Sequence, residues 1–302
     1  KKSVALNLKE KAGRDALLRL VASADVFVQN FRPGVIERMG LGEEQLRKVA
    51  PDLVMVSISG FGDTGPYSQR PVYDPLIQGL SGLATVQAGA DELRPQLVRT
   101  ILPDKLTGVT AAQAITAALF ARERTGESQH VRLSMLDAII AFLWSSDMGS
   151  QTFVHSEVPQ QEAASLQDLI YETTTGYITI AVQSDREWQA LIRAVDRPEW
   201  AEDPRFQTAR LRQENIDARL ELIQSVIKTD TAEHWLARLE AEQVPCAPVL
   251  TRTQVLDHPQ VLANDLLSHY DHPQAGRLRQ ARAPSRFSAA PEQHWQGAPR
   301  LG

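Results

Sequence analysis

Asp104 is the residue whose type and setting most clearly suggest chemistry. It follows Pro103, and a long apolar-periodic stretch begins just after it, at Leu106, Val109, Ala112, Ile115 and Leu119. Proline suits an early helical position because its missing N–H costs little there. We therefore expect Asp104 in or beside the first turn of a helix, where the positive end of the helix dipole keeps a nucleophilic carboxylate ionised. A helix cap is the alternative interpretation, since Asp is a favoured capping residue.

Two other segments place polar residues at the end of a predicted element. A strand-like run at 25–29 leads into the turn at 30–34, and ligands of doubly wound sheets bind beyond the carboxyl ends of strands. Asn30 could hydrogen-bond an amide or hydroxyl there, and Arg32 and Arg38 could hold phosphates. The alternative is a plain turn with solvated arginines. The spacing of Ser134-x-x-Asp137 is that of a capping box, and helix capping accounts for it fully.

Residue patterns of several other enzyme classes are missing from the sequence. The seven histidines are scattered, and none lies in a metal-binding spacing such as HExxH. The sequence has no GxSxG segment, and Cys246 lies in a Pro-Cys-Ala-Pro turn with no obvious base. These features argue against serine, cysteine and zinc hydrolases. The glycine-rich loop Gly60–Tyr67 also lacks the GxGxxG pattern of dinucleotide-binding proteins.

Composition limits the broad class of the protein. The chain has 302 residues, of which 43% are hydrophobic and 23% charged, and its net charge is −5. These values are ordinary for a soluble globular protein. The charge argues against a general nucleic-acid binder, and no apolar run is long enough to span a membrane. Cys246 is the single cysteine, which excludes an internal disulfide and fits a reducing, cytoplasmic location.

Short strands alternate with helices near the start of the chain. Strand patterns lie at 4–8, 26–28 and 53–58, and helical patterns lie at 13–22 and 43–49. Such alternation predicts an α/β fold with a parallel, doubly wound sheet. We extend this large domain over residues 1–150, with a further strand at 130–133 and helices at about 74–83, from Asp104 onward and at 135–147.

The composition of the sequence changes after residue 150. Residues 151–168 are polar and irregular, which is typical of a linker. A second, smaller α+β domain is predicted at 169–265, with a hairpin at 169–182 and helices at 185–195, 210–228 and 231–242. Residues 266–302 alternate polar and apolar side chains again, and we expect them to return to the large domain.

Several segments of the chain form a recognisable series. They are Ala24–Gly34, Arg38–Gly42, Ser57–Tyr67, Tyr73–Asp74, Gln78–Gly82, Asp104–Gly108, Arg124–Val131 and Val244–Pro248. Together they resemble the class III CoA-transferase family, which includes formyl-CoA transferases and relatives of carnitine CoA-transferase. The order, spacing and number of the segments make the resemblance specific. Family members start earlier and end later, so we expect that this chain lacks both family ends.

The resemblance implies a set of site residues. Asp104 matches the catalytic aspartate of the family, which attacks an acyl-CoA thioester to form a mixed anhydride and then an aspartyl-CoA thioester. Tyr73 matches a position that lines the acyl pocket. Four other residues match positions that contact coenzyme A, namely Asn30, Phe31, Arg38 and Met39. The substrates implied are an acyl-CoA and a small free carboxylic acid, with no cofactor bound permanently.

The family fold implies a Rossmann-like large domain, a small domain and a homodimer whose two chains interlock like links. Two other functions stay open. Racemases of 2-methylacyl-CoA share the fold and pair a histidine with the aspartate, whereas the matching position here is Tyr73. A tyrosine of ordinary pKa is a poor base at neutral pH, which favours transfer.

A non-catalytic CoA-binding or structural protein is the other alternative. The stretch 160–175 lacks the glycine run of formyl-CoA transferases, so oxalate or formate is not assigned.

Overall fold

The computed structural model describes residues 2–154, 169–289 and 297–300. Within these ranges the chain forms two compact units, one before and one after the segment 155–168. The predicted linker at 151–168 therefore lies largely outside the described residues. Its only described part is residues 151–154, which include the end of a 3₁₀ turn at Gly149–Thr152.

A three-stranded parallel sheet forms the centre of the first unit. Its strands are β1 (Val26–Gln29), β2 (Val54–Ser59) and β3 (His130–Ser134), in the order β1-β2-β3. Its helices are α1 (Lys11–Val21), α2 (Val35–Arg38), α3 (Glu43–Val49), α4 (Asp74–Leu80), α5 (Leu83–Ala88), α6 (Leu102–Thr125) and α7 (Met135–Trp144). The prediction of an α/β fold with a parallel sheet is confirmed.

The central strand β2 faces two apolar cores. Val54 and Val56 are fully buried against Ala118 of α6 on one side. Met55 points to the other side and packs with Leu46 of α3. Helices thus cover both faces of the sheet, and a parallel strand buried on both faces has a continuous apolar sequence instead of an alternating one.

Two elements predicted for this unit were wrong. Residues 4–8 form no strand, since a strand-like pattern requires a partner strand and none of the described strands pairs with them. The helix predicted at 74–83 is divided into α4 and α5. Gly82 adopts the left-handed conformation, with φ of 86°, and this interrupts the helical path.

Antiparallel strands and short helices form the second unit. Its strands are β4 (Ile170–Thr173), β5 (Gly176–Ile180), β6 (Cys246–Pro248), β7 (Leu267–His272) and β8 (Gly276–Ala281). Its helices are α8 (Asp185–Val195), α9 (Ala209–Glu214), α10 (Ile216–Ile227), α11 (Ala232–Ala241) and α12 (Pro259–Ala263), with 3₁₀ turns at Pro198–Ala201 and Gln254–Asp257. β4, β5 and β6 form one sheet, and β7 and β8 form a separate hairpin. The helix predicted at 210–228 is divided at Asn215.

Aromatic side chains fill the core of the second unit. The ring of Trp188 on α8 stacks on Trp200 at 6.0 Å and meets Phe206 at 5.6 Å. A capping box starts α8, because Ser184 and Glu187 bond each other's backbone N–H groups. The β7–β8 hairpin groups with this unit, whereas the sequence predicts a return of residues 266–302 to the large domain. The predicted domain boundaries stay predictions.

Candidate active site

Asp104 lies in the first turn of α6, as the sequence predicts. The helix begins at Leu102 and is preceded by Ile101 as its N-cap, and Pro103 occupies one of its first positions. Asp104 is therefore the third helical residue and not the cap. Its residue is exposed to solvent, while Pro103 beside it is buried. An exposed carboxylate in the first turn of a helix is accessible to a substrate.

The backbone of Asp104 is held by a second aspartate. Asp74 is the first residue of α4 and is only 4% exposed. Its Oδ2 accepts a hydrogen bond from the backbone N–H of Asp104 at 3.3 Å. The first N–H groups of a helix have no partner within the helix, so this carboxylate satisfies one of them. Its interaction connects α4 directly to the start of α6.

A buried glutamine in turn holds Asp74. Gln78 Nε2 donates to Asp74 Oδ1 at 2.6 Å, one helical turn along α4. The Gln78 amide also bonds the backbone of Val98 and Thr100, in the segment that leads into α6. Buried polar groups need such partners because an unmade hydrogen bond costs free energy. This network, which includes Asp74 and Gln78, was not predicted from the sequence.

The pKa of Asp104 is shifted in the direction opposite to the one that the helix dipole predicts. Partial desolvation of its carboxyl, followed by the negative charge of Asp74, raises the pKa of Asp104 above its ordinary value. Both effects disfavour the charged form. A carboxylate of higher pKa is also a stronger base and nucleophile, provided that it remains ionised at the working pH.

The residues matched to coenzyme A contacts lie together at the end of β1 and along α2. Asn30 and Phe31 follow β1 and are exposed, and the backbone N–H of Phe31 donates a hydrogen bond to Gln29 Oε1 at 2.8 Å. Arg38 ends α2 with an exposed side chain, and Met39 is half-buried against the core below. The structure thus brings these four residues into one region.

Tyr73 lies directly before Asp74 at the start of α4. Its side chain is 77% exposed, so it is open to a ligand. The residue is the N-cap of the helix without a side-chain capping bond. Tyr73 and Asp104 therefore adjoin the same residue: Tyr73 precedes Asp74 in the chain, and the backbone N–H of Asp104 donates to the Asp74 carboxylate.

The loop between β2 and α4 connects the two groups of candidate residues. Gln69 Nε2 donates to the carbonyl of Pro33 at 3.3 Å, in the turn after β1. At its base the loop closes on itself, because a Cβ added at Gly60 would lie 2.4 Å from Val72 Cγ1. Glycine is therefore required at 60 for close packing. The signal in the sequence was the glycine-rich loop, but its closing partner Val72 was not predicted.

A cleft of about 200 Å³ opens at the carboxyl ends of β1 and β2. Of the residues matched to coenzyme A, Phe31 lines it; the other lining residues include Gln29, Ser57, Ser59, His130 and Arg132. His130 bonds Ser57 Oγ through Nε2 at 2.8 Å and Glu43 through Nδ1 at 2.6 Å. This chain of bonds ties α3 to the sheet. Ser57 and His130 both line the cleft, so these bonds lie in its wall and give that end of the sheet a polar surface.

Three further features concern the candidate site and its surroundings. Among the described residues, no group of three or more His, Cys, Asp or Glu side chains is placed to hold a metal ion. None of the helices in the described ranges is both long and apolar enough to cross a bilayer. Ser134 caps α7, with Oγ accepting from the N–H of Asp137 at 2.9 Å, which confirms the capping interpretation of that segment.

Comparison with known proteins decides the family. The sequence profile of CoA-transferase family III matches residues 1–302. The chain belongs to this family. The resemblance inferred from its sequence segments is therefore confirmed, and related members of the family are named as CoA-transferases, which are enzymes.

Relatives of known name and structure agree with this placement. The chain is 32% identical over its whole length to acetyl-CoA:oxalate CoA-transferase of Acetobacter aceti and spans 77% of that protein. It is 29% identical to human succinyl-CoA:glutarate CoA-transferase, with 92% of the chain matched to 64% of the human protein. The crystal structure of Rv3272 from Mycobacterium tuberculosis superposes with a TM-score of 0.86, at 29% identity, over all of this chain and 82% of the other. The chain thus spans about two thirds to four fifths of these relatives.

Proposed function

We propose that this protein is a CoA-transferase that moves coenzyme A from an acyl-CoA thioester to a free carboxylic acid, with Asp104 as the nucleophile. One observation carries the proposal. Asp104 is an exposed carboxylate in the first turn of α6, and its backbone N–H is fixed by the buried Asp74. Membership of CoA-transferase family III supplies the reaction class.

The proposed reaction passes through two mixed anhydrides and one aspartyl-CoA thioester on Asp104. Its carboxylate oxygen attacks the thioester carbonyl of the donor, the C–S bond breaks, and a mixed anhydride and the CoA thiolate result. The thiolate then attacks the aspartyl carbonyl, which frees the donor acid and leaves an aspartyl-CoA thioester. The acceptor carboxylate attacks that thioester, whose C–S bond breaks to give a second mixed anhydride and the CoA thiolate. The thiolate finally attacks the acceptor acyl carbonyl, which releases the new acyl-CoA and the Asp104 carboxylate. Covalent catalysis of this type divides one difficult transfer into easier steps.

The proposal assigns the remaining candidate residues to substrate binding. Asn30, Phe31, Arg38 and Met39 would contact coenzyme A, and Tyr73 would line the acyl pocket. Their shared location at the carboxyl end of β1 supports the first assignment, because ligands of doubly wound sheets bind there. Coenzyme A and acyl-CoA are substrates in this proposal, and no resident cofactor is included. The donor and acceptor acids are not assigned.

A homodimer is also part of the proposal. Large apolar side chains on two helices of the first unit are exposed, namely Leu76 and Leu80 on α4 and Val109 and Phe120 on α6. Exposed apolar surface of this kind favours a protein partner. Sedimentation analysis of the purified protein tests this part, and a monomer at micromolar concentration would contradict it.

Mass spectrometry after mixing with a panel of acyl-CoAs, followed by hydroxylamine, tests the covalent mechanism. The expected result is an acyl or CoA adduct on the peptide that contains Asp104, converted by hydroxylamine to a hydroxamate. Asp137 offers a matched control, because it is also an exposed third residue of a helix, α7. An adduct that persists in Asp104→Asn, or no adduct with any donor despite binding of coenzyme A, would refute the proposal.

A further inference from the structure

Gln78 is a buried residue of the first unit, and both the oxygen and the nitrogen of its side-chain amide make hydrogen bonds. Its residue is 2% exposed, and it lies on α4 between Asp74 and the segment that precedes α6. Its side chain makes four hydrogen bonds. Oε1 accepts from the backbone N–H of Val98 at 2.8 Å, and Nε2 donates to Asp74 Oδ1 at 2.6 Å and to the carbonyls of Val98 and Thr100, each at 3.3 Å.

The bonding pattern suits a primary amide better than any other side chain. The site presents one donor, the N–H of Val98, and three acceptors, so it needs an acceptor and a two-hydrogen donor on one planar group. A glutamate could not donate to Asp74, and two carboxylates would face each other. A methionine of similar length would leave the Asp74 carboxylate and the N–H of Val98 without this partner, and buried groups in that state are costly.

The two ends of this network both reach Asp104. Through Asp74, the amide fixes the carboxylate that accepts the Asp104 N–H. Through the Val98 and Thr100 bonds, it fixes the chain immediately before Ile101 and Leu102, where α6 begins. A residue that holds both approaches to a helix start determines where the first turn lies.

We propose that Gln78 is a positioning residue for Asp104, which fixes the start of α6 and thereby aims the nucleophile. The proposal rests on the transferase function proposed above, in which Asp104 attacks the thioester. Gln78 itself contacts no substrate in this scheme. Its effect is on the geometry of attack, since a displacement of about 1 Å at a reacting group can cost on the order of 100-fold in rate.

The main test compares Gln78→Met with wild type in adduct formation. The rate at which acyl-CoA labels Asp104 is expected to fall by about 10- to 100-fold. The dissociation constant of coenzyme A, measured by calorimetry, is expected to stay unchanged, because the residues matched to coenzyme A follow β1 or lie at the end of α2 and make none of the hydrogen bonds to Gln78. A merely structural role would weaken coenzyme A binding and labelling together, through loss of folded protein.

Gln224 provides a matched control in the second unit. Its amide also clamps a backbone segment, donating to the carbonyl of Glu172 and accepting from its N–H, both at 2.9 Å. Gln224→Met removes a similar clamp far from Asp104 in sequence. Its labelling rate is expected to equal that of wild type.

A double variant that exchanges the amide and the carboxylate of Asp74 and Gln78 tests whether the labelling rate can be restored. In the double variant Asp74→Asn with Gln78→Glu, the bond between the two side chains is kept with donor and acceptor reversed, and the new amide oxygen still accepts from Asp104 N–H. The glutamate cannot donate to the carbonyls of Val98 and Thr100, so the double variant is expected to label faster than Gln78→Glu alone but more slowly than wild type. Non-additive recovery of this type is the signature of two residues that act as a pair.

Amide hydrogen exchange gives a readout independent of activity. Gln78→Met is expected to speed exchange at Val98 and Asp104, whose N–H groups bond Gln78 and Asp74. If wild type forms no adduct with any donor, the transferase proposal fails, and exchange alone decides the positioning inference. Unchanged exchange at Asp104, or labelling of Gln78→Met at the wild-type rate, would overturn the positioning inference while leaving the transferase proposal standing.

Discussion

The strongest prediction concerns the length and charge of the side chain at Asp104. Asp104→Glu keeps the carboxylate but moves it by one C–C bond, about 1.5 Å. A shift of this size is expected to reduce kcat on the order of 100-fold, or about 2.7 kcal/mol in the barrier. Asp104→Asn keeps the size but removes the nucleophile, and a loss on the order of 10⁴-fold or more is expected.

Stability should not follow activity in these variants. Because the folded state raises the pKa of Asp104, any stability from this group is present below the ordinary pKa of the carboxyl and lost as pH rises through the raised value. At neutral pH its charge thus gives no stabilisation that Asp104→Asn would remove. Asp104 is also exposed. A change within about 0.5 kcal/mol in the free energy of unfolding is expected.

Chromatography of CoA esters after incubation with a donor and a carboxylic acid measures the transfer, and urea titration measures the stability. Asp137→Asn, at the equivalent position of α7, is the control and should keep full activity. Equal activity of Asp104→Glu and wild type would show that attack geometry is not limiting. Retention of a hundredth of the activity by Asp104→Asn would refute the nucleophile assignment.

Three further predictions concern neighbouring charge and the second unit. Asp74→Asn removes the like charge that raises the pKa of Asp104, so the acid limb of the kcat profile should move to lower pH; an unmoved or higher limb contradicts this. Ser184→Ala removes the cap of α8 and should cost about 1 kcal/mol in urea unfolding, with Ser184→Thr close to wild type. Trp188→Ala leaves a cavity beside Trp200 and should cost about 3–5 kcal/mol, and a cost below about 1 kcal/mol would show that the core collapses.

Local sequence signals predicted the elements that are determined locally. The helix predicted at 185–195 has the same ends in the structure, Asp185–Val195, where a capping box starts it and its apolar residues lie on one face. The hairpin of β4 and β5 followed from the turn residues between them. β2 was predicted from its continuous apolar run, to within one residue at each end.

Other features depended on partners distant in the chain. The strand-like residues 4–8 have no strand beside them among the described residues. The position of Asp104 was predictable from Pro103 and the apolar period, but the Asp74 and Gln78 network was not. A buried polar residue on an amphipathic helix has the same sequence appearance as an exposed one, and only the packed structure distinguishes them.

Asp74 and Asp104 carry the same side chain in different surroundings, and this suits them to different tasks. Asp74 is buried and uses both carboxylate oxygens, one for Gln78 and one for the backbone of Asp104. Asp104 is exposed, and its backbone N–H is held by Asp74. Partial desolvation, followed by the negative charge of Asp74, raises the pKa of Asp104. The bonded aspartate cannot approach a substrate without breaking the network, whereas the exposed one can. Such divergence between paired carboxyl groups is how acid, base and nucleophile assignments are recognised, and it favours Asp104 over Asp74 as the reacting group.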